Sequence, residues 1–112
     1  MSSLNIKALL KNVVAYKASD LHLVSRSEPQ IRIDGKLVPL DMAPLTGNII
    51  EEICYTLITD KQKKKLEEEK ELDFAIMLPE IGRFRANYYY TINNELAAAL
   101  ELFLLKFHLW MI

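Results

Sequence analysis

The chain has 112 residues, 51% of them hydrophobic, which suits one compact domain with a sizeable core. Fourteen basic residues against fifteen acidic ones leave a net charge of -1, so bulk electrostatics offers no case for nucleic acid or an anionic membrane as partner. The single Cys54 excludes an internal disulfide framework and fits a reducing cytoplasm. Met1 to Asn5 lacks the basic segment of a signal peptide, and Lys7 and Lys11 interrupt the apolar residues that follow.

In chain order, Leu4, Ile6, Leu9, Leu10, Val13 and Val14 recur at helical spacing, with Lys7, Lys11, Asn12 and Lys17 largely on the other side. This predicts an amphipathic helix capped by Ser2 or Ser3, its apolar stripe packed on a core rather than laid on a membrane. From Ala18 to Leu40 the period falls to two: Leu21 and Leu23 share a face in one strand, Ile31 and Ile33 in the next. Asp34-Gly35 offers positive φ for a tight turn into a third strand over Lys36 to Leu40, so the stretch reads as a β-meander.

Asp20 and His22 lie in this meander, but acid-base chemistry needs a third polar partner and a substrate site, and neither is visible. Asp20 is expected to accept hydrogen bonds from backbone amides where the strand starts, and His22 to sit half-buried on the face opposite Leu21 and Leu23. His22, Cys54 and His108 share no ligand spacing, so no metal site is expected.

Pro44 to Gly47 marks a loop, after which Ile49, Ile50, Ile53, Cys54, Leu57 and Ile58 form one helical stripe with Cys54 as a small core residue. Thr59-Asp60-Lys61-Gln62 has the capping-box pattern and opens a polar third helix through about Lys70. Its lysines precede its glutamates, which permits pairing at helical spacing in the less favourable orientation for the helix dipole. Strands return over Leu72 to Met77, Arg83 to Thr91 and a run after Asn93-Asn94. In the long strand Phe84, Ala86 and Tyr88 alternate with Arg83, Arg85, Asn87 and Tyr89, so both arginines project from one face. Two aligned guanidiniums form an anion-ready surface, unless they pair with Asp73, Glu80 or the third-helix glutamates.

Two stretches carry a family resemblance. Ala18-Ser19-Asp20-Leu21-His22-Leu23, then Pro29 and Ile31-Arg32-Ile33-Asp34-Gly35-Lys36-Leu37, together with Glu71-Leu72-Asp73-Phe74 and Gly82-Arg83-Phe84-Arg85-Ala86-Asn87, resemble the start of the type IV pilus retraction ATPases, the PilT family of secretion-type motors. The resemblance covers residues 4–100. It implies an α+β, PAS-like domain, an antiparallel sheet with helices packed on one face, joined in the family to a RecA-like motor domain. It further implies ATP and Mg²⁺ as cofactors of the parent family, and a hexameric ring in the cytoplasm, peripheral to the inner membrane and its pilus platform machinery. The domain would help close the nucleotide site, with Arg85 the residue approaching the phosphates and Arg83 the second candidate. No nucleic-acid partner and no transmembrane segment are implied.

Phosphoryl transfer needs a phosphate cradle, a lysine and a metal-holding hydroxyl, and this chain has three isolated glycines and no Gly-Lys-Ser or Gly-Lys-Thr. No cofactor of its own and no turnover by the chain alone are therefore expected; the motor domain is missing from it. Residues 101–112 break with what precedes them: too short and too interrupted for a membrane span, and too apolar on every face for an ordinary core element. The family continues here into a segment resembling LRIIPTKIPSLDDLG. An AT-rich coding choice for Leu100 to Ile112, with one A inserted after its first codon, reads LRIIPTKIPSLDD, and if the family's next Leu-Gly is coded TTA GGN, the frame without the insertion meets TAG after Ile112. The tail is accordingly expected to be out of frame. The reading from another class is a free-standing PAS-like sensor or adaptor that binds a small ligand or partner through its sheet, with Tyr88, Tyr89 and Tyr90 as its aromatic surface.

Overall fold

The structure is a computed structural model and describes residues 4–105. Its elements run α1 (Ile6–Ala15), β1 (Asp20–Leu23), β2 (Gln30–Ile33), β3 (Lys36–Pro39), α2 (Gly47–Tyr55), α3 (Asp60–Glu69), β4 (Glu71–Leu78), β5 (Gly82–Tyr90) and β6 (Leu96–Leu105). All strands join one antiparallel sheet of six, in the order β3-β2-β1-β6-β5-β4. This is the expected α+β domain, with one addition that local periodicity does not carry: the two meanders are fused through β1 and β6, from Asp20 opposite Glu101 to Leu23 opposite Ala98.

Local chemistry accounts for each element. Ser2 and Ser3 lie outside the described residues, and the cap of α1 is Asn5, whose Oδ1 accepts from the Ala8 amide at 2.8 Å. Ile6, Leu9, Leu10 and Val13 then fall on the buried stripe. The turn between β2 and β3 places Asp34 at φ 50° and Gly35 at φ 83°, positive φ at both central positions, the twist a two-residue hairpin requires. Thr46 caps α2, accepting from the Ile49 amide at 3.2 Å.

Thr59 and Gln62 complete the capping box of α3 reciprocally. The Gln62 amide donates to Thr59 Oγ1 at 3.2 Å and the Thr59 amide to Gln62 Oε1 at 2.9 Å. No ion pair joins the lysines and glutamates of α3 among the described residues. Lys63 and Lys70 instead set their ammonium groups over the rings of Tyr55 and Tyr90, at 4.8 and 4.7 Å from the centroids.

The core is a single cluster between the helices and one face of the sheet. Leu21, Leu23, Ile31, Phe84, Ala86, Tyr88, Leu96, Ala98 and Leu100 come from the strands; Leu10, Val13, Ile50, Cys54 and Leu66 come from the helices. Tyr88 corrects the reading of Tyr88 to Tyr90 as one aromatic surface: it is 0% exposed, its hydroxyl donates to the Cys54 carbonyl at 2.8 Å, and Phe74 meets it edge-on at 5.0 Å. The same alternation that aims Arg85 outward aims Tyr88 inward. Burial pushes the Cys54 thiol up to about 12, so it is an inert core group.

Residues 101–105 continue β6 rather than leaving the sheet. The pairing of this end is irregular: Phe84 pairs Leu102 while Arg83 pairs Leu104, which leaves Phe103 as the extra residue of a bulge. Lys106 to Ile112 lie outside the described residues.

Leu21→Ala, in the middle of the fused sheet and fully buried, is expected to cost about 3 kcal/mol, within the range of buried leucine truncations. Leu37→Ala on the exposed edge strand β3 is expected to cost less than about 0.5 kcal/mol. Urea unfolding of the two variants checks the difference, and equal losses would place the core elsewhere.

Candidate functional site on the open face of the sheet

The three helices and the buried strand residues occupy one face, and the opposite face is bare. It carries the alternate positions: Asp20 and His22 on β1, Arg32 on β2, Asp73 and Ala75 on β4, Arg83, Arg85 and Asn87 on β5, Ala99, Glu101 and Phe103 on β6. The expectation that both arginines share a face thus holds, and His22 lies opposite Leu21 and Leu23 as expected.

Glu101 is at the centre of this face, with Asp20 as its cross-strand partner on β1 and Arg85 on β5. Among the described residues its side chain makes no hydrogen bond or ion pair. A groove of about 540 Å³ runs across it, lined by Ser19, Asp20, Arg32, Asp73, Arg85 and Glu101. A hollow of about 450 Å³ adjoins this groove at Ala75 and Phe103.

Asp20 does not bond backbone amides at the start of its strand. Ser19 Oγ donates to its Oδ1, while His22 Nε2 and Arg32 Nε, the latter at 3.4 Å, meet its Oδ2. The reason is the sheet: in the middle of it the nearby amides are committed to ladders, so the carboxylate takes side-chain donors. Burial works to raise the pKa of Asp20, but the hydrogen bond from Ser19, the hydrogen bond and charge of His22 and the hydrogen bond from Arg32 outweigh it and hold the group below 3.8.

Arg85 and Arg83 diverge. Arg85 reaches Asp73 at 3.3 Å, a pair 67% and 51% exposed, while the Arg83 guanidinium rests 5.3 Å from the centroid of the half-exposed Phe103 ring. The pairing of Arg85 with Asp73 is one of the alternatives open from spacing. The contact of Arg83 with Phe103 was not visible in sequence patterns, because it depends on the pairing of β6. Counted over the groove, Asp20, Asp73 and Glu101 oppose Arg32 and Arg85, so the aligned arginines do not make this face cationic. No group of three or more His, Cys, Asp or Glu suited to a metal ion occurs among the described residues, and no helix there is long and apolar enough to cross a membrane.

Because the folded pKa of Asp20 is depressed, its contribution to stability is present above the unfolded value of 3.8 and is lost as the pH falls through the folded value. Asp20→Asn should therefore be less stable than the parent chain near neutral pH. The gap should narrow in urea titrations taken from about pH 6 to about pH 2. A gap that is constant across that range would mean that Asp20 carries no charge-dependent stabilisation.

No known family profile matches the chain. It is 36% identical over 86 residues to the type IV pilus retraction ATPase PilT of Pseudomonas aeruginosa, covering 77% of this chain and 25% of that protein. The type IV pilus ATPase PilU of the same organism is 28% identical over 90 residues, covering 80% of this chain and 24% of PilU. The chain thus spans about a quarter of the length of the curated relatives it matches. The crystal structure of the pilus retraction motor PilT with bound ADP superimposes with a TM-score of 0.82 at 36% identity, over 88% of this chain and 29% of that one. By sequence and by fold, this chain is similar to the N-terminal α+β domain of the type IV pilus retraction ATPase PilT.

Proposed function

We propose that residues 4–100 serve a twitching-motility ATPase as the domain that helps assemble its hexameric ring and closes the nucleotide site, with Arg85 approaching the phosphates and Arg83 as the second candidate. The observation that carries this is the state of Arg85. It projects from a bare sheet face, and its one ion pair among the described residues is with a half-exposed aspartate, a contact of the kind worth about 0–1 kcal/mol and readily exchanged for a phosphate. Arg83 is held against a ring and is less free to move.

The cofactors of this reading, ATP and Mg²⁺, belong to the parent motor. The PilT structure superimposed above holds ADP, and this chain contributes arginine to the site rather than a phosphate loop. The place of work is the cytoplasm beside the inner membrane, and the partners are further copies in the ring and the pilus platform.

Position 101 bears on the proposed change of reading frame. An acid directly opposite Asp20 across an antiparallel pair is unfavourable. An arginine at that position, as in the resembling LRIIP segment, would face Asp20 and stand beside Arg85, turning the groove from acidic to basic. Glu101 thus accords with a frame that departs from the family after Leu100.

The purified chain is expected to show no ATP hydrolysis above the blank; turnover that survives repurification and scales with protein would overturn this. The residue assignment is tested in a chimaera in which residues 4–101 replace the matched region of Pseudomonas aeruginosa PilT. Arg85→Ala is expected to lower turnover roughly 10³-fold, the lower end for a transition-state arginine, whereas Lys36→Ala at the β2–β3 turn leaves it unchanged. Glu101→Arg is expected to raise it. Equal activity of the Arg85 and Lys36 variants in assembled rings would assign Arg85 to sheet stability alone.

A further inference from the structure

The two edges of the sheet are built differently. The β3 edge is four residues long, opens on Lys36 and closes on Pro39, a charge and a missing N–H that discourage a further strand. The β4 edge is eight residues long, ELDFAIML, with no lysine, no proline and an unbroken register against β5. The Lys70 carbonyl accepts from the Tyr90 amide on β5 and the Leu78 carbonyl from the Ile81 amide in the turn that leads to β5, so the even-numbered positions bond inward. Glu71, Asp73, Ala75 and Met77 therefore turn their N–H and C=O groups to the open edge, and no other backbone bond reaches them among the described residues. We propose that two copies of this chain join edge to edge through β4, antiparallel about a two-fold axis at Ala75, into one continuous sheet.

The sequence of β4 is complementary to itself in that register. With Ala75 opposite its own copy, Leu72 meets Leu78 and Phe74 meets Ile76 on the face that bears the helices, and an isologous interface makes each contact twice. Phe74 and Ile76 are only partly buried within one chain, and the added strand completes their cover. On the other face Asp73 meets Met77, which is 55% exposed in the single chain, and Glu71 meets Pro79, so no acid stands opposite an acid. An axis at Phe74 would make the two Asp73 carboxylates diagonal neighbours, and an axis at Asp73 would set them face to face. The pairing lies in the plane of the sheet. Arg85 on β5 and Glu101 on β6, one and two strands inward, keep their open face.

This edge pairing does not rest on the nucleotide assignment and leaves Arg85 uncovered, and its test reads mass and cross-links rather than turnover. Sedimentation equilibrium of the intact chain should show a dimer. Ala75→Pro removes an outward N–H and no bond to β5, so it should give a monomer whose far-ultraviolet circular dichroism matches the parent. Ala75→Lys, which sets two ammonium groups against each other on the axis, should also be monomeric, while Leu37→Lys on β3 should leave the dimer intact. With a thiol oxidant, Ala75→Cys should cross-link to its own copy, because the Cα atoms of a directly opposed hydrogen-bonded pair lie about 5.5 Å apart, within reach of a disulfide. Cys54 is buried and does not compete. Asp73→Cys should not link to itself but should link to Met77→Cys when the two are mixed. The proposal is overturned by a parent chain that stays monomeric, by association that continues past two copies, by a dimer that survives both Ala75→Pro and Ala75→Lys, or by Asp73→Cys chains that link to themselves as readily as Ala75→Cys chains do.

Discussion

The register of β5 is the constraint on which both the core and the open face depend. Side chains alternate across a strand with a period of two, so a slip of one residue would exchange the two faces. Phe84, Ala86 and Tyr88 would then face water while Arg83 and Arg85 entered the core, an arrangement no compact state could offset. The register is held on both sides, by pairing from Glu71 opposite Tyr89 to Leu78 opposite Gly82 on β4, and by β6 on the other edge. From the core side the Tyr88 hydroxyl adds a directional lock, since only one register brings it to the Cys54 carbonyl. Placement of the arginines is thus a by-product of burying an aromatic strand.

The charges on the open face follow from the same geometry but are balanced unevenly. Asp20 is over-supplied with donors and Arg85 has one weak partner, while Glu101 between them has none among the described residues. An exposed carboxylate loses little by being unpaired in water, so the sheet tolerates Glu101. The tolerance is local: a ligand or protein that covered the groove would strip that water away and convert the unpaired charge into a large cost.

Much of this was legible in the sequence, and what was not has a common cause. The stripe of α1, the Thr59 to Gln62 capping box and the Asp34-Gly35 turn are written within a few residues of chain and appear where those residues place them, whereas α2 ends at Tyr55, short of the Leu57 and Ile58 of its expected stripe. Grouping the three consecutive tyrosines ignored the alternation already evident at Phe84 and Ala86, and the structure divides them accordingly. The partners of Asp20, the fusion of two meanders into one sheet and the position of Glu101 all depend on β1 meeting β6, a pairing between distant segments that periodicity does not encode. The five residues after Leu100 are too apolar on every face to predict an ordinary core element, yet they extend β6, with Phe103 as an extra residue at a bulge.

The central position of β6 also sets an order of events during synthesis. A ribosome that has released Asp20–Leu23 must make every later element before Leu96–Leu105 emerges, which at roughly 5–20 residues per second takes on the order of several seconds. Through that interval β1 has an open edge where its long-range neighbour belongs, and Leu21 and Leu23 lack half of their eventual surroundings. The nascent domain therefore keeps an unpaired strand edge until β6 inserts between the two halves, and the sheet closes from its middle rather than growing from one edge.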